Sequence, residues 1–201
     1  MVSQRCDTIV GRDEVRDALD VRICGLLWDL GFLPLPMATA IGDREGYIKS
    51  LLPDAVVLSG GNDIGQCAER DQLESALLSY AAEFRLPVLG ICRGMQMINH
   101  YHGGALRAVS GHVATRHLVT GPLVGRGCRE VNSYHSLGAV DADLGFELEA
   151  VAWSEDGVVE ALRHRELPWL GIMWHPERDM PMVDEDKELI RGCLATELAA
   201  R

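Results

Sequence analysis

Apolar positions along the chain fall into short continuous runs separated by stretches with helical spacing. Residues 2–5 read as a very short first strand. Asp13 stands where it can cap an amphipathic helix with apolar positions Val15, Leu19, Ile23, Leu26, Leu27 and Leu30, closed by Gly31. Residues 32–36 are strand-like, and Asp43 can cap a shorter helix carrying Tyr47, Ile48, Leu51 and Leu52. Residues 54–58 have the composition of a buried strand and run into Ser59-Gly60-Gly61-Asn62-Asp63. Leu73, Leu77, Leu78, Ala81 and Phe84 recur at helical spacing, followed by a second buried strand at 88–91 and a helix at 95–102.

After Gly103-Gly104 the texture changes. Short β-like pieces occupy 117–120 and 129–131, and a hairpin is expected from 146–153 and 158–163, joined at 154–157. An apolar strand beginning at Trp169 and a last helix over 183–199 complete the pattern. Alternating strands and helices imply right-handed crossovers and an α/β fold. The expectation is one domain over residues 1–201, an open, mostly parallel twisted sheet of flavodoxin-like type. Helices cover both faces, and a small β-hairpin region lies in the C-terminal half.

Candidate chemistry sits at the carboxyl ends of these strands, where ligands bind in open α/β sheets. Gly90-Ile91-Cys92-Arg93-Gly94 has the Gly-x-Cys-x-Gly form of a nucleophile elbow, a strained turn from strand into helix that needs neighbours without a Cβ. The N-terminus of the following helix is expected to favour thiolate over thiol at Cys92. Far downstream, Trp174-His175-Pro176-Glu177 ends another strand in His-x-Glu. Residues two apart in an extended segment face the same way, so Glu177 can orient His175 and leave one imidazole nitrogen for the thiol. An α/β hydrolase with a cysteine elbow fits less well, because its acidic residue precedes the histidine in chain order, whereas Glu177 follows His175.

Charge and cysteine content narrow the class. The 201 residues carry 30 acidic and 19 basic side chains, a formal charge of −11, which disfavours nucleic acid and anionic membranes as partners. Six cysteines without metal-ligand spacing, in a chain long enough to bury its own core, point to reduced thiols and a cytoplasmic protein. His100 and His102 are two apart on a helix and would diverge. Structural or substrate-shell roles are therefore expected for His100, His102, His112 and His117, with no metal and no organic cofactor.

With Gly-Ile-Cys-Arg-Gly-x-Gln and His-Pro-Glu in place, the chain resembles the class I glutamine amidotransferase superfamily, more closely its γ-glutamyl hydrolase branch. The resemblance implies Cys92 as nucleophile, His175 as general acid/base and Glu177 as the orienting carboxylate. It implies an oxyanion hole from the backbone N–H groups of Gly61 and Arg93, and substrate contacts from Gly60, Gln96, Asn132, Ser133 and Tyr134, the 131–136 segment acting largely through backbone. The substrate would be a small γ-glutamyl amide. Ser3-Gln4-Arg5, Leu58 to Asp63, Met97 to Tyr101 and Gly171 to Arg178 further resemble members of capsular phosphoramidate biosynthesis, whose substrate joins the γ-glutamyl group to a cytidine nucleotide. Arg5 and Arg178, together with the Arg93 side chain, are then the candidates to receive the leaving group. A homo-oligomer, a glutaminase module feeding ammonia to a separate synthetase, and a hydrolase of γ-glutamyl-GABA type remain open alternatives.

Overall fold

The computed structural model describes residues 1–195. The strands are β1 (Arg5–Thr8), β2 (Val15–Ala18), β3 (Val56–Leu58), β4 (Val88–Ile91), β5 (Arg107–Ala108), β6 (Val113–Thr120), β7 (Cys128–Tyr134), β8 (Leu137–Gly138), β9 (Leu148–Ser154), β10 (Val159–His164) and β11 (Trp169–Ile172). The helices are α1 (Val21–Asp29), α2 (Arg44–Leu51), α3 (Ala68–Glu83), α4 (Arg93–Tyr101) and α5 (Asp184–Leu194). The expected last helix is present, and its final residues lie outside the described ones.

Seven strands form one sheet in the order β3-β4-β11-β10-β9-β6-β7. β3, β4 and β11 are parallel, and the remaining pairings are antiparallel. The α/β class is as expected, and the parallel part lies at the candidate site. The antiparallel extension is larger than a small hairpin region, because β6 and β7 run well beyond the residues whose pattern suggested strands.

Each parallel strand is buried on both faces, and its side chains divide by parity. Val56, Leu58, Val88 and Trp169 pack with Ile48 of α2, Leu73 and Leu77 of α3, and Met95 of α4. Val57, Leu89, Ile91, Leu170 and Ile172 pack with Ile23, Leu26 and Leu27 of α1 and with Ile190 and Leu194 of α5. The antiparallel strands contribute to both clusters, so one sheet separates two cores.

Three expectations near the N-terminus need correction. The first strand at 2–5 reduces to Val2, which bridges Pro36 on one side and Val57 on the other, both parallel; the strand at 32–36 likewise reduces to Pro36. Asp13 caps nothing, because residues 15–18 form β2 and pair antiparallel with β1. The helix begins instead behind Asp20, whose carboxylate accepts from Arg22 N–H at 3.0 Å. Finally, the cysteines are not all thiols: Cys6 and Cys67 form a disulfide that ties β1 to the start of α3. Their 61-residue separation carries no local signal; non-local contacts, including Cys6 N–H to Asn62 Oδ1 at 2.8 Å, bring them together.

Candidate active site

β4 ends at Ile91 and α4 begins at Arg93, so Cys92 alone makes the turn between them. Its φ of 51° and ψ of −104° are sparsely populated for a residue with a side chain. Cys92 N–H donates to Ile172 O at 2.7 Å, and Gln96 N–H donates to Cys92 O at 3.1 Å, so strand and helix fix the elbow from both sides. The flanking glycines are required by space. A Cβ on Gly90 would meet the Gly94 backbone at 2.6 Å, and one on Gly94 would meet Leu58 O at 2.1 Å.

β11 lies parallel beside β4 with Ile172 opposite Ile91, so both chains leave the sheet at one level. His175 follows three residues later. A Cβ on Gly60 would lie 2.8 Å from His175 Cε1 and 3.7 Å from Cys92 Cβ, so the end of β3, the elbow and the histidine converge on one point. Gly61 beside it has φ +84°. His175 Nδ1 lies 2.7 Å from Glu177 Oε1, with both side chains buried. An N–H donated there leaves Nε2 for proton exchange. The expected pairing is present, but its local geometry is different: the strand ends at Ile172, and Pro176–Arg178 is a one-turn 3-10 helix that brings the carboxylate round to the ring.

Burial changes the expected state of the thiol. It pushes Cys92 up to about 12, outweighing the Arg93 backbone N–H and the Arg178 charge that favour the anion. The helix terminus acts in the expected direction but does not prevail, so the resting group is a thiol. A thiol becomes nucleophilic when a neighbouring base takes its proton, and the His175 ring is the basic group that converges on this point.

The remaining residues divide into those that face the cleft and those that hold it. A cleft of about 160 Å³ is lined by Arg5, Asp20, Gly60, Gly61, His175 and Arg178 among others. Arg178 stacks its guanidinium 4.3 Å over the Tyr134 ring, and Tyr134 packs edge-on against His175. Arg5 pairs with Asp7 at 2.9 Å and remains half exposed. Hydrogen bonds from Arg22 hold Asp20 down to about 2, so an ionised carboxylate opposes the two arginines in the cleft. Arg93 does not face this cleft: its buried side chain pairs with Asp71 and Glu74 of α3, leaving only its backbone N–H at the elbow. Gln96 is buried and donates to Leu137 O at 2.9 Å. Asn132 and Ser133 are engaged elsewhere through their side chains. The Asn132 amide donates to His175 O and accepts from His175 N–H, both at 2.9 Å, and Ser133 Oγ donates to His112 O at 2.6 Å. Only their backbone is left for a ligand.

Arg70 was not singled out by sequence, although it holds the glycine loop. Fully buried, it donates to the carbonyls of Ser59 at 2.6 Å, Gly61 at 2.5 Å and Gly60 at 3.2 Å, and is oriented by Glu74 at 2.8 Å. These bonds draw the three carbonyls toward α3, while the Ser59 N–H donates to Ser3 Oγ at 3.0 Å. A signal was present: Arg70 and Glu74 lie on the same helical stripe as Leu73, Leu77 and Leu78, where two charged residues on an apolar face call for a buried pair.

An elbow cysteine, a histidine and a carboxylate at the ends of adjacent parallel strands are the arrangement of a class I glutamine amidotransferase. The sequence matches the family described as glutamine amidotransferase class-I over residues 37–194, and the chain belongs to it. Among curated relatives, the γ-glutamyl-CDP-amidate hydrolase of Campylobacter jejuni is 34% identical over 154 residues, covering 74% of this chain and 72% of that one. Anthranilate synthase component 2 of Thermococcus kodakarensis is 33% identical, covering 66% and 69%. The aminodeoxychorismate synthase of Streptomyces griseus is 44% identical over 67% of this chain, a match that takes up 18% of its own length. A crystal structure of a GMP synthase subunit from Thermoplasma acidophilum superposes with a TM-score of 0.71 at 18% identity, covering 96% of this chain and 91% of that one, which establishes the fold. Among the described residues no helix is long and apolar enough to cross a membrane.

Proposed function

We propose that the chain hydrolyses a γ-glutamyl amide through a γ-glutamyl thioester on Cys92. The observation that carries this reading is the convergence of Cys92 and the Glu177-oriented ring of His175 on the space left by Gly60. Cys92 Sγ attacks the γ-carbonyl carbon while its proton passes to His175. The C–N bond then breaks, and that proton goes to the departing nitrogen. Water next attacks the thioester as His175 takes its proton, releasing glutamate and restoring the thiol. The negative oxygen formed in each half is met by the N–H groups of Gly61 and Arg93, each donor worth about 3–4 kcal/mol. Gln96 and the backbone of residues 132–134 are assigned to the glutamyl part.

The leaving group we favour is a cytidine diphosphate amidate, released for modification of surface polysaccharide. The resemblance to the Campylobacter jejuni hydrolase supports this, and Arg5 and Arg178 place two guanidinium groups at the cleft for a diphosphate. A second reading, ammonia supply to a separate synthetase, is favoured by the resemblance to anthranilate synthase component 2. Glutamate release from γ-glutamyl-CDP-amidate, glutamine and γ-glutamyl-GABA, measured side by side with Cys92→Ala as control, separates them. Preference for the nucleotide supports the first reading. Turnover of glutamine that needs an added synthetase supports the second.

A further inference from the structure

Away from the cleft, three histidines surround one buried carboxylate. Oε1 of Glu160 lies 3.3 Å from His112 Nδ1, 3.3 Å from His117 Nε2 and 3.4 Å from His135 Nε2. Glu160 is fully buried, His112 and His135 are each 3% exposed, and His117 is partly buried. None of these three nitrogens nor either oxygen of Glu160 makes a well-formed hydrogen bond. Five buried polar atoms turned toward one another without partners are costly unless a cation stands among them.

The far sides of two rings show which atoms are available. His135 Nδ1 lies 3.0 Å from Leu137 O and must donate there, which leaves Nε2 with a lone pair facing Glu160. His112 Nε2 lies 3.0 Å from Asp156 Oδ2 and donates to that carboxylate, leaving Nδ1 likewise. A carbonyl or carboxylate fixing the outer N–H of an imidazole is the usual support of a metal-ligating histidine. The spacing fits for three of these groups: one ligand atom each of His112, His117 and Glu160 lies within 4.8 Å of the others, and the carboxylate oxygen is 3.3 Å from both nitrogens, against roughly 3.3–3.4 Å between neighbouring ligand atoms in a tetrahedral site with bonds of about 2.0–2.1 Å.

We infer that His112, His117 and Glu160 form a binding site for one divalent transition metal of the zinc type, with His135 packed beside the carboxylate. Two imidazoles and one carboxylate oxygen occupy three positions of a tetrahedral sphere and leave the fourth open. The site would join β6 and the residue before it to β10. Leu137 O, which fixes His135, also accepts from Gln96, so the bound ion would steady the sheet behind the proposed cleft. The histidine pair His102 and His164 beside Glu147 differs: His164 Nδ1 accepts the N–H groups of Glu166 and Leu167, so its Nε2–H can donate to Glu147 without an ion.

The test is calorimetric titration of tag-free, chelator-treated protein with zinc chloride alone, with the thermal midpoint followed in parallel. One zinc per chain, a raised midpoint and at least hundredfold weaker binding by His117→Ala are expected. The exposed Asp156→Asn variant, which meets His112 at its outer nitrogen and otherwise accepts from the Ser154 hydroxyl, should weaken binding roughly 10–100-fold and keeps the test decisive should His117→Ala fail to fold. Wild-type protein that takes up no zinc, or variants that bind it as tightly as wild type, would overturn the assignment.

Discussion

At the scale of single residues, atoms that are absent matter as much as atoms that are present. Gly60 is the clearest case, since its missing Cβ is the space that His175 Cε1 and Cys92 share. Gly60→Ala is expected to abolish most glutamate release while leaving the thermal midpoint within a few degrees, because the displaced ring borders an open cleft. Gly94→Ala meets the Leu58 carbonyl inside the core instead, and should cost about 1–3 kcal/mol or more of stability by urea denaturation. The thiol supplies a pH prediction. A group raised to about 12 is protonated throughout the neutral range, so iodoacetamide alkylation of Cys92 without substrate should climb about tenfold per pH unit from 7 to 9. A plateau below pH 8 would show the thiolate that burial is argued to suppress.

At the scale of elements, two parallel strands and one antiparallel strand deliver the site by different means. β4 and β11 place Cys92 and His175 by register, and β7 holds His175 through the Asn132 amide. Asn132→Ala should therefore lower kcat for glutamate release by roughly tenfold or more, with KM changed little, since two hydrogen bonds of about 1 kcal/mol each hold the histidine rather than the substrate. The parallel elements were legible because strands buried on both faces appear as unbroken apolar runs. β1 and β2 were not: Arg5–Thr8 and Val15–Ala18 are mostly polar or exposed, and Val15, Leu19 and Ile23 continue a helical spacing by coincidence. Hairpin pairing overrode that spacing, and Asp20 capped the helix one turn and more downstream of the expected start. Cys92, His175 and Glu177 could be read from motifs, whereas Arg70, the Asn132 clamp and the partnership of His135 with Glu160 arise between residues far apart in sequence.

At the scale of the molecule, the chain packs one sheet and its helices on two cores and carries a covalent tie at one corner. The Cys6–Cys67 disulfide joins the β1–β2 hairpin, which brings Arg5 and Ala18 to the cleft, to the helix that carries Arg70. Closing a loop of 61 residues is worth up to about 4 kcal/mol in the chain-entropy view. Peptide mapping without reductant should recover Cys6 and Cys67 in one linked peptide, and dithiothreitol should lower the thermal midpoint. The proposed chemistry sits at the strand ends, where Arg5 and Arg178 line the same cleft as His175. The central claim is the covalent intermediate, and the most direct measurement is acid-quenched mass spectrometry of the protein mixed with γ-glutamyl-CDP-amidate or glutamine. A glutamyl acyl group on the peptide containing Cys92, absent from Cys92→Ala and cleared as glutamate appears, is the predicted result. Undiminished glutamate release by Cys92→Ala, or an adduct on any other residue, would contradict the account.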